Sequence, residues 1–136
     1  MKTILIDLNI ILDYLNKREG HEKALEIIIQ CCLKKVKGFI CAHEITTLSY
    51  FLESESKDKN KNIKTISGIL KMFEIIEINK TLLEKALLLN INDYEDAVIV
   101  ASASEEGINY IITKNIKDFK NSQIKVLLPE EFLAIK

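Results

Sequence analysis

The chain has 136 residues, 48% of them hydrophobic and 29% charged, with 20 acidic against 19 basic side chains and a net charge of −1. That balance excludes a disordered chain and fits one globular domain, residues 1–136, with enough apolar material for a core. It also excludes a general electrostatic attraction to nucleic acid, so any such binding has to rest on a local patch.

The cysteines, Cys31, Cys32 and Cys41, are odd in number and read as free buried thiols of a reducing compartment. Lys2 is followed by only four apolar or β-branched residues before Asp7, too few for a signal sequence. No apolar stretch approaches the roughly 20 residues that cross a bilayer. The expectation is a cytoplasmic protein with no membrane association.

In chain order, residues 3–6 are apolar or β-branched and read as a short buried strand that ends at Asp7; residues 10–15 then resume a helical pattern. A polar turn (16–20) leads to a helix over 21–35 with Ala24, Leu25, Ile28, Ile29 and Leu33 on one face. Gly38 punctuates, residues 39–41 form a second strand, and a helix covers about 45–53. Residues 54–62 (SESKDKNKN) read as a mobile loop or a solvated helix end, and helical spacing returns over 63–72. Residues 73–78 (FEIIEI) read as a third strand, and Asn79 can cap a helix over 80–89. Asp93 can cap a further helix over 94–106, whose stretch AVIVASA (97–103) has almost no polar side and which Gly107 ends. Residues 109–113 are a fourth strand, 114–122 a polar loop and 124–128 a fifth strand; Pro129 opens a last short helix.

Strands and helices alternate, and the strands are short continuous apolar runs. That predicts an α/β fold: a three-layer domain with a mostly parallel five-stranded sheet and helices on both faces. In such a sheet, ligands gather outside the carboxyl ends of the strands. Asp7 stands at the end of the first strand, Glu44 just past the second, and Asp118 in the loop leaving the fourth. The helix over 94–106 must run antiparallel to the strand it feeds, which brings Asp96, and with it Asp93, to the same rim. Four carboxylates from separate elements repel one another, and a cation resolves that. All-oxygen ligation suits Mg²⁺ or Mn²⁺, and a carboxylate-held divalent ion is well matched to phosphodiester hydrolysis.

These residues resemble the PIN-domain ribonucleases, including the VapC-type toxins of toxin–antitoxin pairs, over nearly the whole chain. ILIDLNIILD (4–13) is similar to the family's opening strand with its first catalytic acid, Asp7. DYEDA (93–97) is similar to the segment that carries the acid at Asp96, and IITKNIKDF (111–119) resembles the family's T-x-N-x-x-D-F segment, with Asn115 and Asp118. The resemblance implies a PIN-like fold, Mg²⁺- or Mn²⁺-dependent cleavage of RNA, and a small antitoxin protein as partner. It implies Asp7 and Asp96 as catalytic acids and places Asp118 and Asn115 near the metal; the reading of the residues takes Asp7, Asp96 and Asp118 as metal-holding catalytic acids, adds Glu44 as a fourth acid, and expects Asn9, Asp93, Asn115, Lys114 and Lys117 beside the substrate. In one departure, the family carries a Glu a few residues beyond a Thr on the helix after the second strand. Here Glu44 precedes Thr46 and Thr47, as in a subgroup whose second acid is displaced.

Each residue also has a plainer use. Asp7, Asp93 and Asp96 suit helix N-termini, Asp118 suits an Asx-turn, and Asp13 reads as a surface acid two turns from the site. His21 and His43 read as structural or surface residues, and Tyr94 and Phe119 as packing rather than base-stacking groups. The lysine clusters (34–37, 57–64 and Lys114, Lys117, Lys120) read as solvated faces, though the last flanks the rim and can meet phosphates. The alternative from another class is a non-catalytic module that binds RNA or protein. A phosphohydrolase would want a second Asp where Asn9 stands, and a receiver domain an Asp where Asn79 stands. The apolar helices exceed what one small sheet needs to cover, which points to a homodimer.

Overall fold

The computed structural model describes residues 1–135. Five strands, β1 (Lys2–Ile6), β2 (Val36–Cys41), β3 (Glu74–Ile76), β4 (Tyr110–Ile112) and β5 (Lys125–Leu127), form one sheet in the order β3-β2-β1-β4-β5. Every pairing is parallel; Ile4 of β1 lies opposite Gly38 of β2 and Tyr110 of β4. The expected α/β architecture is therefore present, with the sheet wholly parallel.

Among the described residues seven α-helices cover the sheet: α1 (Leu8–Asn16), α2 (His21–Cys32), α3 (Ala42–Glu55), α4 (Lys59–Met72), α5 (Lys80–Leu87), α6 (Tyr94–Glu106) and α7 (Pro129–Leu133). The strands bury both faces, as their unbroken apolar runs require. Ile4 and Ile6 of β1 and Ile40 of β2 point into one core with Ile10 and Ile11 of α1, Ile27 of α2, Leu48 of α3 and Ile69 of α4. Leu5, Phe39 and Ile111 point the other way, into a core closed by Ile99, Val100 and Ala103 of α6. Ile4, Leu5 and Ile6 are fully buried, each contributing about 2 kcal/mol of apolar transfer free energy. Gly38 lets α2 and the third-strand segment close on β2: a Cβ there would stand 2.6 Å from Cys31 Sγ and 2.9 Å from Phe73 Cδ1.

The helix over 94–106, its Gly107 cap in the left-handed region (φ 72°) and the Asn79 cap on α5 all match the reading from sequence. The stretch 54–62 differs from a loop. α3 continues to Glu55 and α4 starts at Lys59, leaving three residues between them. Asp58 caps α4 by accepting from the Lys61 amide, and buried Asn62 donates to the Ser56 carbonyl, so the polar residues do local work that hydrophobic periodicity does not register. The polar loop over 114–122 likewise contains a 3-10 turn, Ile116–Phe119, held by buried Phe119. Cys32 is exposed, unlike Cys31 and Cys41.

The chain winds outward from β1 through β2 to β3, then returns across the sheet to β4 on the other side of β1. The loops leaving β1 and β4 thus diverge, and a crevice opens between them at the carboxyl edge.

Candidate metal centre

Asp7 is the residue at which β1 becomes α1. Its amide donates to the Ile112 carbonyl at 3.0 Å, which ties it to the end of β4. Its side chain makes no capping hydrogen bond; instead its Oδ2 accepts from Thr113 Oγ1 at 2.8 Å. Burial pushes the Asp7 carboxyl above the ordinary range, with the Asp118 charge adding to it; the Thr113 hydroxyl and the nearby Asn9 and Leu8 amides pull the other way.

Glu44 enters from the first turn of α3. Its Oε2 accepts from the Leu8 amide at 3.2 Å and so satisfies one of the free donors at the start of α1. Its Oε1 is buried and has no hydrogen-bond partner. Burial, then the charge of Asp7, and to a lesser degree Glu95 and Asp96, hold this carboxyl well above the ordinary range.

Asp96 sits in the first turn of α6, where Asp93 caps the helix by accepting from the Asp96 amide at 3.1 Å. Asp93 therefore serves the helix end, and its charge also bears on Asp96. Burial, then Asp93, Asp7, Asp118 and Glu95, push the Asp96 carboxyl up to about 7. Asp118, on the exposed 3-10 turn, is felt by both Asp7 and Asp96. The four acids picked out in the sequence thus face one another across the crevice.

The remaining candidates separate. Asn9 is half-buried in the first turn of α1, and Asn115 donates its amide to Thr113 Oγ1 at 3.1 Å. Lys117 and Lys120 are exposed around Asp118. Lys114 is not free at the rim: its Nζ lies 2.8 Å from Asp13 Oδ2. Asp13 is correspondingly not a surface acid; its side chain is 3% exposed. It stands three residues after Ile10, on the stripe that α1 buries, a spacing that is legible once the helix is known. Phe119 is core, and the Tyr94 hydroxyl donates to the Leu83 carbonyl.

Three participants were not singled out by the sequence. Thr113 is fully buried and orients Asp7; its signal was its place at the end of a strand in the quoted motif. Glu95 adds its charge to Glu44 and Asp96. His43 is half-buried with both ring nitrogens unpartnered, and burial lowers its pKa against the opposing pull of Glu95. No sequence signal marks that environment.

A divalent cation fits this donor set. Its acids are oxygen donors, burial and then the neighbouring charges hold the Asp7, Glu44 and Asp96 carboxyls above the ordinary range, and Glu44 Oε1 is a buried acceptor without a donor. The carboxylates face one another without closing: among the described residues no group of three or more His, Cys, Asp or Glu side chains is set to hold a metal ion. Cys41 and Cys31, their thiols pushed by burial up to about 12, take no part in such chemistry at neutral pH.

A family model described as the PIN domain matches residues 3–117. Ribonuclease VapC1 of Aquifex aeolicus (strain VF5) is 30% identical over 134 residues, 95% of this chain and 92% of that protein. Among solved structures, a toxin–antitoxin complex from Klebsiella pneumoniae superposes with a TM-score of 0.68 at 21% identity, covering 93% of this chain and 97% of that one. The sarcin-ricin loop cleaving toxin VapC20 of Mycobacterium tuberculosis superposes with a TM-score of 0.67 at 14% identity, over 90% of this chain and 98% of that one. At those identities the structural likeness speaks for the fold. Among the described residues no helix is long and apolar enough to cross a membrane.

Proposed function

The chain belongs to the PIN-domain family, and from that premise we propose that it is a metal-dependent endoribonuclease, one catalytic domain acting as the toxin of a toxin–antitoxin pair. The observation that carries the proposal is the convergence of Asp7, Glu44, Asp96 and Asp118 on one crevice, with Glu44 Oε1 buried and unpartnered. The naming of a 30% identical relative as a ribonuclease, and of a structural neighbour as a toxin–antitoxin complex, supports the substrate and the partner.

Asp7, Asp96 and Asp118, with Glu44, would hold Mg²⁺ or Mn²⁺. A bound ion of this kind polarises the phosphate and lowers the pKa of an attacking water. The chain's own groups do the rest. Thr113 fixes the Asp7 carboxylate through a 2.8 Å hydrogen bond, and Glu44 ties α3 to the start of α1 so that the acids of separate elements keep register. Asn9, Asp93 and Asn115 would stand beside the scissile phosphate. Lys117 and Lys120, exposed beside Asp118, would meet flanking phosphates and offset the charge of the acids. The alternative of a non-catalytic module leaned on a displaced second acid; the burial of Glu44 against Asp7 favours the catalytic reading. Exposed Leu33, Tyr50, Leu87 and Leu88 supply the apolar surface for a second copy or an antitoxin.

The test is RNA cleavage with Mg²⁺ or Mn²⁺, with and without a chelator. Asp7→Asn and Asp96→Asn variants with unchanged circular dichroism should lose cleavage, as should wild type in chelator. Undiminished cleavage in both variants refutes the assignment.

A further inference from the structure

We infer that Asp13 and Lys114 form a positioning pair that holds the Thr113 hydroxyl on Asp7, an inference that rests on the metal-centre reading above. Two ion pairs are present among the described residues. Lys85–Glu105 is exposed at both ends, whereas Lys114–Asp13 joins a half-exposed ammonium to a carboxylate that is 3% exposed. A carboxylate that deep needs its cation, so the Lys114 side chain is pinned along α1 rather than left to solvent. A cleft of about 820 Å³ lined by Ile10, Asp13, His21, Lys114 and Pro129 borders the pair.

What the pin acts on is set by the chain on either side of it. Thr113 is fully buried. Its amide donates to the Leu127 carbonyl at 3.0 Å and its Oγ1 donates to Asp7 Oδ2 at 2.8 Å. The same hydroxyl oxygen accepts from the Asn115 amide at 3.1 Å, and that second bond commits the hydroxyl proton to Asp7. Lys114 is the residue between the two that make this arrangement. Fixing its side chain on α1 fixes the turn through which Asn115 reaches back to Thr113. The connection therefore runs from Asp13 through Lys114 to Thr113 and Asn115, and from there to the Asp7 carboxylate. It leaves Oδ1 as the Asp7 oxygen not taken by Thr113. Lys114 is in this account a strut and not a phosphate contact, because its ammonium is already committed to Asp13. Asp13 touches neither metal nor substrate and acts only through Lys114.

The experiment is a Mn²⁺ titration of the metal-stripped full-length protein, with free Mn²⁺ read by electron paramagnetic resonance and no RNA present, alongside amide hydrogen exchange. The variants are K114R, which keeps the pair, and the double variant D13N/K114M, which removes both charges together and so leaves no unpaired buried carboxylate to unfold the protein. The double variant should bind Mn²⁺ at least about tenfold more weakly, the usual effect of losing support behind a ligand. Its Asn115 amide should exchange faster while the β1–β4 ladder amides keep their protection. K114R should leave both at their wild-type values. A double variant whose Mn²⁺ affinity lies within about twofold of wild type overturns the inference, even if its melting temperature falls, because a purely structural pair would behave that way. So does an unchanged Asn115 exchange rate. A loss of salt dependence in RNA binding without a change in Mn²⁺ affinity overturns it in favour of a phosphate contact. Wild type that binds no Mn²⁺ overturns the metal-centre reading and this inference with it; the inference fails by itself only where wild-type binding is intact.

Discussion

Replacing Asp96 with Asn should stabilise the metal-free protein while disabling it. Asp96 is half-buried, and burial together with the charges of Asp93, Asp7, Asp118 and Glu95 holds its carboxyl at about 7 against an ordinary 3.8. At roughly 1.4 kcal/mol per pH unit that difference corresponds to about 4 kcal/mol. Half-exposure to solvent screens it to about 2 kcal/mol. The native state holds the Asp96 proton more tightly than the unfolded chain does. The stability from that proton is therefore complete below about pH 4 and is lost as the pH rises through about 7. Asn is neutral throughout and preserves the Asp96 amide bond to Asp93. At pH 8, in chelator, D96N should melt about 6–10 °C above wild type, and at pH 3.5, below the ordinary carboxyl value, the two should nearly coincide. Thermal denaturation followed by circular dichroism at the two pH values reads this directly. A variant that melts below wild type at pH 8, or gains equally at both pH values, refutes the view that the acids strain one another across the crevice.

Gly38→Ala should destabilise by about 1–3 kcal/mol in a denaturant titration, because the new Cβ meets Cys31 Sγ at 2.6 Å and the Phe73 ring at 2.9 Å; an unaffected midpoint would contradict the close approach of α2 to β2. In a thiol-labelling assay at pH 8, Cys32 should react promptly, while Cys31 and Cys41, buried and held up at about 12, should wait for unfolding; three fast equivalents would contradict that burial. Exchanging Lys117 and Lys120 for Ala together should lower the slope of log affinity for single-stranded RNA against log salt by about 1.4, on the basis of about 0.7 per phosphate contact. An unchanged slope removes both residues from the RNA path.

Much of the fold was legible because period-2 and period-3.6 patterns are written in local runs. The all-apolar strands announced a sheet covered on both faces, and Asp93 and Gly107 marked the ends of α6 to the residue. The acids followed from topology: parallel strands and antiparallel helices put Asp7, Glu44, Asp96 and Asp118 at one edge whatever the strand order. What stayed illegible depended on contacts between distant segments. Asp13 read as a surface acid because nothing local discloses that Lys114, about a hundred residues on, neutralises it within the core-facing stripe of α1. Glu44's bond to the Leu8 amide likewise joins two separate helices and leaves no mark in the local sequence. The polar run over 54–62 read as a possible loop because capping by Asp58 and the Asn62 bond to Ser56 stabilise helix ends without hydrophobic periodicity.

The central claim is that these carboxylates act together as a cation site, and calorimetric titration of Mn²⁺ into metal-stripped wild type and Glu44→Gln at pH 7.5 tests it most directly. Gln keeps the bond to the Leu8 amide and removes only the charge behind the unpartnered oxygen. The account predicts saturable binding in wild type and at least about tenfold weaker binding in the variant. Equal affinity in the two proteins, or no saturable binding in either, would contradict it.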